Sequence, residues 1–280
     1  MDLEQKFKAV QESIARAEIK SAKAQVSLIV SGHSVDPYII LKCASLLKVI
    51  EDDEGSESLL DRVSSVLPTD ESERMAIAIA LRGMGRAEDA WSIMMEIEPV
   101  SDIQLLERAS TLLLCGNQVS ALQELEACSD SSEKRDLLWA DILAGTGDDQ
   151  AAMVKLEEAM LRYGLSYDAL VKKSNLLIRA GKFKEAVKFA NSQLKEDKKS
   201  ADMLALKAYI MRINGKILAA VNYAHRALKL DVTHVGALET MAYCLIEKGK
   251  KNEAKMMAGA IYQKDPGNKA TFQILQACMD

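Results

Sequence analysis

Three glycines, Gly181, Gly215 and Gly249, recur at a fixed interval of 34. The same interval separates Ala186, Ala220 and Ala254, and again Asp197, Asp231 and Asp265. One interval held by several residue types marks a repeat array, and that reading decides the fold class before any local argument. Residues 167–268 therefore divide into the units 167–200, 201–234 and 235–268. A fourth unit, 133–166, fits the register through Gly147 and Ala152.

Residues 201–234 show what each unit builds. Leu204, Ala208 and Met211, with Leu206, Tyr209 and Ile213, make apolar rows at helical spacing as far as Asn214. Gly215 interrupts the pattern where a helix would need a residue free to take positive φ. Ile217, Ala220, Val221, Ala224, Ala227 and Leu228 then resume it at spacings of three and four. The expectation is two short helices joined by a tight turn. Neither is long enough to persist alone in water, so the units must stack to bury their faces.

These residues resemble the tetratricopeptide repeat (TPR), in which a small residue in the first helix, a turn glycine and an early alanine in the second helix recur. Residues 235–268 show Ala242, Gly249, Ala254, Ala258 and Asp265-Pro266-Gly267-Asn268. Residues 167–200 show Ser174, Gly181, Ala186 and Ala190. Departures occur at Gln193 and Ile261, which replace the late small residue, and proline is missing at the end of three units. The resemblance implies an all-α fold, an α-solenoid in which stacked antiparallel helix pairs wind as a right-handed superhelix.

Upstream, Leu3, Phe7, Val10, Ile14 and Ala17 alternate spacings of four and three, and Ala24 and Leu28 continue a seven-residue rhythm. One long helix over residues 2–30 is expected, so residues 1–32 read as an N-terminal capping or dimerisation helix. Ser31-Gly32-His33 should end it, and Asp36-Pro37 should begin the next. Residues 35–132 read as degenerate or shortened TPR-like hairpins. Their turn glycines are expected at Gly55, Gly85 and Gly116, with successive steps of 30, 31 and 31 as far as Gly147. Pro68 and Pro99 stand where units should end. Residues 269–280 read as a C-terminal capping helix.

The composition fits this class. Apolar residues make up 49% of the chain but aromatics only 5%, with four prolines, which favours helices over sheets. No charged-then-apolar leader and no apolar run of about 18 residues is present, so no membrane insertion and a cytoplasmic location are expected. Cys43, Cys115, Cys128, Cys244 and Cys278 never form a CxxC pair and read as reduced, mostly buried thiols. Charge is uneven. Residues 1–166 hold 30 acidic and 16 basic side chains, a balance of −14, and residues 167–280 hold 11 and 20, a balance of +9. An acidic ligand or head-to-tail contact between copies would exploit that asymmetry.

Catalytic, cofactor and metal sites are not expected. His33, His225 and His234 have no ligand at metal-binding spacing and read as surface or turn residues. Gly83-Met84-Gly85 follows no strand and lacks the third glycine of a nucleotide loop. Met153, Met211 and Met241 fall at packing positions. The TPR resemblance implies instead a concave face lined by the first helix of each unit. Carried over position by position, it includes Lys172, Asn175, Arg179, Ala205, Tyr209, Arg212, Glu239, Tyr243 and Ile246. The implied function is a non-enzymatic scaffold that binds a peptide or helix of a partner protein in that groove. The alternative is a self-assembling subunit, a homo-oligomer joined through the N-terminal helix or its charged ends. Nucleic-acid binding is disfavoured by the acidic total and the lack of a recurring base-reading pair.

Overall fold

The computed structural model describes residues 2–15, 18–129, 131–196, 199–264 and 268–279. Among them every regular element is an α-helix, seventeen in all. They gather into two compact units, Met1–Glu98 and Pro99–Asp280.

The first unit holds α1 (Leu3–Ala15), α2 (Ile19–Gly32), α3 (Pro37–Val49), α4 (Asp53–Val63), α5 (Glu71–Gly83) and α6 (Ala87–Met94). α1 packs on α2, α3 on α4 and α5 on α6, with α2 and α5 also against α3. Its core includes the fully buried Ile40, Leu60, Ile77, Leu81 and Met94.

Two expectations are corrected in this unit. The stretch 2–30 is not one helix but the pair α1 and α2, packed together. The Glu18 amide donates to the Ser13 carbonyl at 2.9 Å, and Gln25 Nε2 donates to Ser13 Oγ at 3.2 Å. A seven-residue seam needs an unbroken helix, and the break changes its phase. Phe7 and Val10 are buried within their own chain, whereas Leu28 is 71% exposed and Ala24 is exposed too. Ala22, Val26 and Ile29 form the buried face of α2 in their place. Ala17 lies outside the described residues. The second correction concerns Gly55, which is helical inside α4, where Asp52 Oδ1 accepts from its amide at 3.2 Å. The turn is made by Glu51 at φ +62°. Glu51 precedes Gly85 by one whole repeat interval, so only the steps from Gly85 to Gly116 and from Gly116 to Gly147 are short.

The second unit holds α7 (Asp102–Leu114), α8 (Gln118–Ala127), α9 (Glu133–Gly145), α10 (Asp149–Tyr163), α11 (Tyr167–Arg179), α12 (Phe183–Glu196), α13 (Ala201–Ile213), α14 (Ile217–Leu230), α15 (Val235–Glu247), α16 (Lys251–Lys264) and α17 (Lys269–Met279). Sequential helices pair into hairpins, and α13 also touches α11 and α15, as α15 touches α17. First helices therefore stack side by side. They are constant in length, 13 residues in α7, α9, α11, α13 and α15. Second helices vary, from 10 residues in α8 to 15 in α10. With no strand among the described residues, the architecture is a solenoid of helix pairs.

Three columns of residues explain why the units are alike. The first is the turn: Glu51, Gly85, Gly116, Gly147, Gly181, Gly215 and Gly249 all have positive φ. At Gly215, φ +67° brings the next amide, Lys216, to 2.9 Å from the Met211 carbonyl, closing the end of α13. The second column lies five residues on, where Ser56, Ala90, Ala121, Ala152, Ala186, Ala220 and Ala254 are all fully buried. Only a small side chain there lets the two helices of a hairpin approach closely. The third column caps the first helices. Asp36, Asp70, Ser101, Ser132, Ser166, Ser200 and His234 each accept a backbone N–H of the following first turn. Asn268 does the same for Ala270 at 3.0 Å. Each such cap stabilises its helix by about 1 kcal/mol. Asp197 and Asp265-Pro266-Gly267, which help to mark the period in sequence, lie outside the described residues.

Candidate interaction groove

The stacked first helices α11, α13 and α15 carry the expected groove residues. Positions 175, 209 and 243 are equivalent, and they hold Asn175, Tyr209 and Tyr243. The Tyr209 hydroxyl donates to Asn175 Oδ1, linking α13 to α11. Arg212 lies one turn along α13. Its guanidinium sits 4.8 Å from the Tyr243 ring centre and 5.9 Å from that of Tyr209. Its Nη1 stands 3.7 Å from Glu247 Oε1, an ion pair too long for a hydrogen bond. Its Nε is buried and has no hydrogen-bond partner among the described residues. Burial raises the pKa of both Tyr209 and Tyr243, so both stay neutral phenols at ordinary pH.

The remaining candidates are placed differently. Lys172 pairs with Asp141 of α9. Arg179 donates to the Ala144 carbonyl at 2.8 Å and pairs with Asp149 at 2.8 Å, so it fastens the end of α11 to α9 and α10. Ala205 is fully buried and cannot touch a ligand, which corrects its inclusion in the groove. It packs with Ala227 and Ala237, because a position next to a stacked helix in a solenoid is core, whatever its place in the repeat pattern. Glu239 is half-buried and lines a separate recess of about 430 Å³ with Tyr167, Asp202, His234 and Lys264.

That recess has no signature in the sequence. His234, expected at the surface or in a turn, closes the turn before α15 but is buried there. His234 is 7% exposed. Its Nδ1 accepts from the Ala237 amide at 3.2 Å, and its Nε2 stands 2.9 Å from Asp202 Oδ1. The Tyr167 ring meets the imidazole edge-on at 4.9 Å. With Nδ1 serving as a helix cap, the imidazole is committed to structure. The available signal is positional: His234 is the imidazole in a column otherwise made of short hydroxyl, carboxylate and amide side chains.

A family model described as anaphase-promoting complex, cyclosome, subunit 3 matches residues 179–261, under a third of the chain. No curated protein matches the sequence. Among solved structures, a tetratricopeptide repeat protein from Parabacteroides merdae ATCC 43184 superposes with a TM-score of 0.52 at 12% identity, over 86% of this chain and 98% of that one. The chain has the tetratricopeptide-repeat fold. Two further similarities are weaker. A thermophilic TPR protein of Thermus thermophilus gives 0.47 at 12% identity, over 64% of this chain and 99% of that one. A chain of the APC/C hetero-tetramer Cut9-Hcn1 gives 0.45 at 12% identity over 97% of this chain, which spans 55% of that chain's length. In TPR terms α11, α13 and α15 are the first helices of successive units, and the Asn175–Tyr209–Arg212–Tyr243 row runs across all three. No described helix is long and apolar enough to cross a membrane.

Proposed function

We propose that this TPR protein is a non-enzymatic, cytoplasmic scaffold that holds a peptide segment of a partner protein along the faces of α11, α13 and α15. The four repeat units at 133–166, 167–200, 201–234 and 235–268 would form the binding array. Arg212 is the observation that carries the reading. Its guanidinium is held in place by two tyrosine rings, and its Nη1 stands 3.7 Å from Glu247, beyond hydrogen-bond distance. A held guanidinium with unused donors suits a carboxylate or a row of backbone carbonyls, and its rotamer freedom is already restricted before binding. Tyr209 and Tyr243 add flat contact area, a common property of binding anchors. Lys172 and Arg179, being paired with Asp141 and Asp149, serve as edges of the groove more than as anchors. The match of residues 179–261 to a subunit of a multiprotein complex supports a role within an assembly, because those residues include Tyr209, Arg212, Glu239 and Tyr243.

The test is affinity capture from source lysate treated with nuclease, using wild type and Arg212→Gln at matched thermal stability. A protein retained by wild type and lost from Arg212→Gln supports the groove. Equal recovery by both proteins overturns it.

A further inference from the structure

The repeat allows one position to be read against its own copy. Positions 157, 173 and 189 recur one full repeat later as 191, 207 and 223. In the first set Lys173 Nζ donates to Glu157 Oε1 at 2.7 Å and lies 5.2 Å from the Phe189 ring centre. In the second set the lysine and the ring persist, as Lys207 and Tyr223 at 5.9 Å. The carboxylate does not persist. Asn191 stands where Glu157 stood, and Lys207 donates to its Oδ1. Lys207 is 4% exposed whereas Lys173 is half-buried, so the more deeply buried lysine is the one without a carboxylate. No ion pair reaches Lys207 among the described residues. A neutral amide fills one of the three donors of an ammonium and balances none of its charge. Burial, and then Lys216, lower the pKa of Lys207 from the usual lysine value, as an uncompensated site requires.

The surroundings do not supply the missing charge. Lys184, Lys188, Asn191 and Lys195 form one exposed stripe on α12 at spacings of four, three and four. Arg226 and Lys229 are exposed on α14, which contains no acidic residue, and Arg226 lies 5.3 Å from the Tyr223 ring centre. Tyr209 and Lys207 are two residues apart, about 200° around α13, so this face is separate from the proposed groove. We infer that the Asn191–Lys207 position, on the face formed by α12 and α14, is a docking point for an aspartate or glutamate side chain in an acidic segment of a partner protein. The partner's carboxylate displaces the Asn191 amide from Lys207 and takes the place that Glu157 holds internally one unit earlier, and the flanking lysines and Arg226 hold the neighbouring acidic residues. The internal precedent is a carboxylate on a side chain, which favours an acidic peptide over a nucleic-acid backbone.

The test titrates full-length protein with a fluorescein-labelled octaglutamate peptide and, separately, with a labelled twelve-residue oligouridine. Asn191→Glu restores the internal pair, and Asn252→Glu adds the same charge elsewhere, on α16. Asn191→Glu is expected to weaken peptide binding at least about tenfold at an unchanged or higher Tm, while Asn252→Glu weakens it about twofold through the general field. In ¹⁵N-lysine-labelled protein the Lys207 ammonium resonance is expected to move with peptide addition, even if a variant folds poorly. Equal losses in the two variants, or a Lys207 resonance that stays fixed, overturn the inference. Tighter binding of the oligouridine than of the peptide, lost in Asn191→Glu, also overturns it and assigns the face to nucleic acid.

Discussion

The Tyr167 side chain reaches past α13 and closes on the backbone of Gly236 in α15. A Cβ on Gly236 would overlap the Tyr167 hydroxyl and ring. Gly236 has no need of unusual φ, so its value here is the absence of a side chain. Gly236→Ala is therefore expected to destabilise the second unit by about 1–3 kcal/mol through overpacking. Combining it with Tyr167→Ala should cost less than the two single changes added together, because the obstruction is gone. Urea denaturation of the four proteins measures this, and additive losses would contradict the contact.

Alkaline pH should weaken the same region. Burial first, then Glu239 and Asp202, push the Tyr167 phenol above its usual value. Burial also raises Tyr209 and Tyr243. A group with a raised folded pKa keeps its proton in the native state while the unfolded chain has released it. The stability it supplies is thus fully present below about pH 10 and falls as pH rises further, by up to about 1.4 kcal/mol per pH unit for each such group. Thermal melts between pH 8 and 11 should show a plateau and then a decline, and Tyr167→Phe should make the decline shallower.

Glu51 occupies a turn position that glycine fills in the six later hairpins. Its φ of +62° costs a side-chain-bearing residue about 1 kcal/mol. Glu51→Gly is expected to leave stability unchanged or raise it by up to that amount, with the greater freedom of glycine in the unfolded chain offsetting part of the gain. Gly215→Ala, at φ +67°, should lower stability by about 1 kcal/mol. Chemical denaturation of both variants decides it, and a strongly destabilised Glu51→Gly would refute the equivalence of the turns.

Burial raises the Cys43 thiol to about 12. At pH 8 it is almost wholly protonated, and only the thiolate attacks disulfide reagents. A native titration with a chromogenic disulfide should therefore find the half-buried Cys115 first and leave Cys43 unreacted until denaturant is added. Prompt labelling of Cys43, detected by peptide mapping, would show that α3 opens locally.

The fold is legible because three columns of residues each answer one mechanical demand: a turn, a close approach and a cap. Spacing alone exposes the first two. It misplaces the first turn because a glycine, Gly55, stands four residues from the true position, while the true position holds a glutamate. The N-terminal hairpin escapes notice because its heptad spacing survives across the break between α1 and α2. In the groove, Asn175, Tyr209 and Tyr243 are legible as equivalents on neighbouring helices, with Arg212 one turn along from Tyr209, and Ala205 is misjudged because a repeat pattern does not say which side of a helix its neighbour covers. Tyr167, His234 and Lys207 are illegible for another reason. Their environments are made by residues of other helices, distant in sequence, and only the way units stack brings them together.

The Tyr167–Gly236 contact also bears on how such a chain can change its length. Most joints between units are interchangeable, since each presents the same turn, small residue and cap to the next, so whole units could be duplicated or lost without disturbing the fit. Excising residues 201–234 would not be neutral. It would bring Ala270 to the place of Gly236 and set a methyl group against the Tyr167 ring, with the same overpacking as Gly236→Ala. One tyrosine thus makes this joint particular about which unit stands two places on, where the others are indifferent.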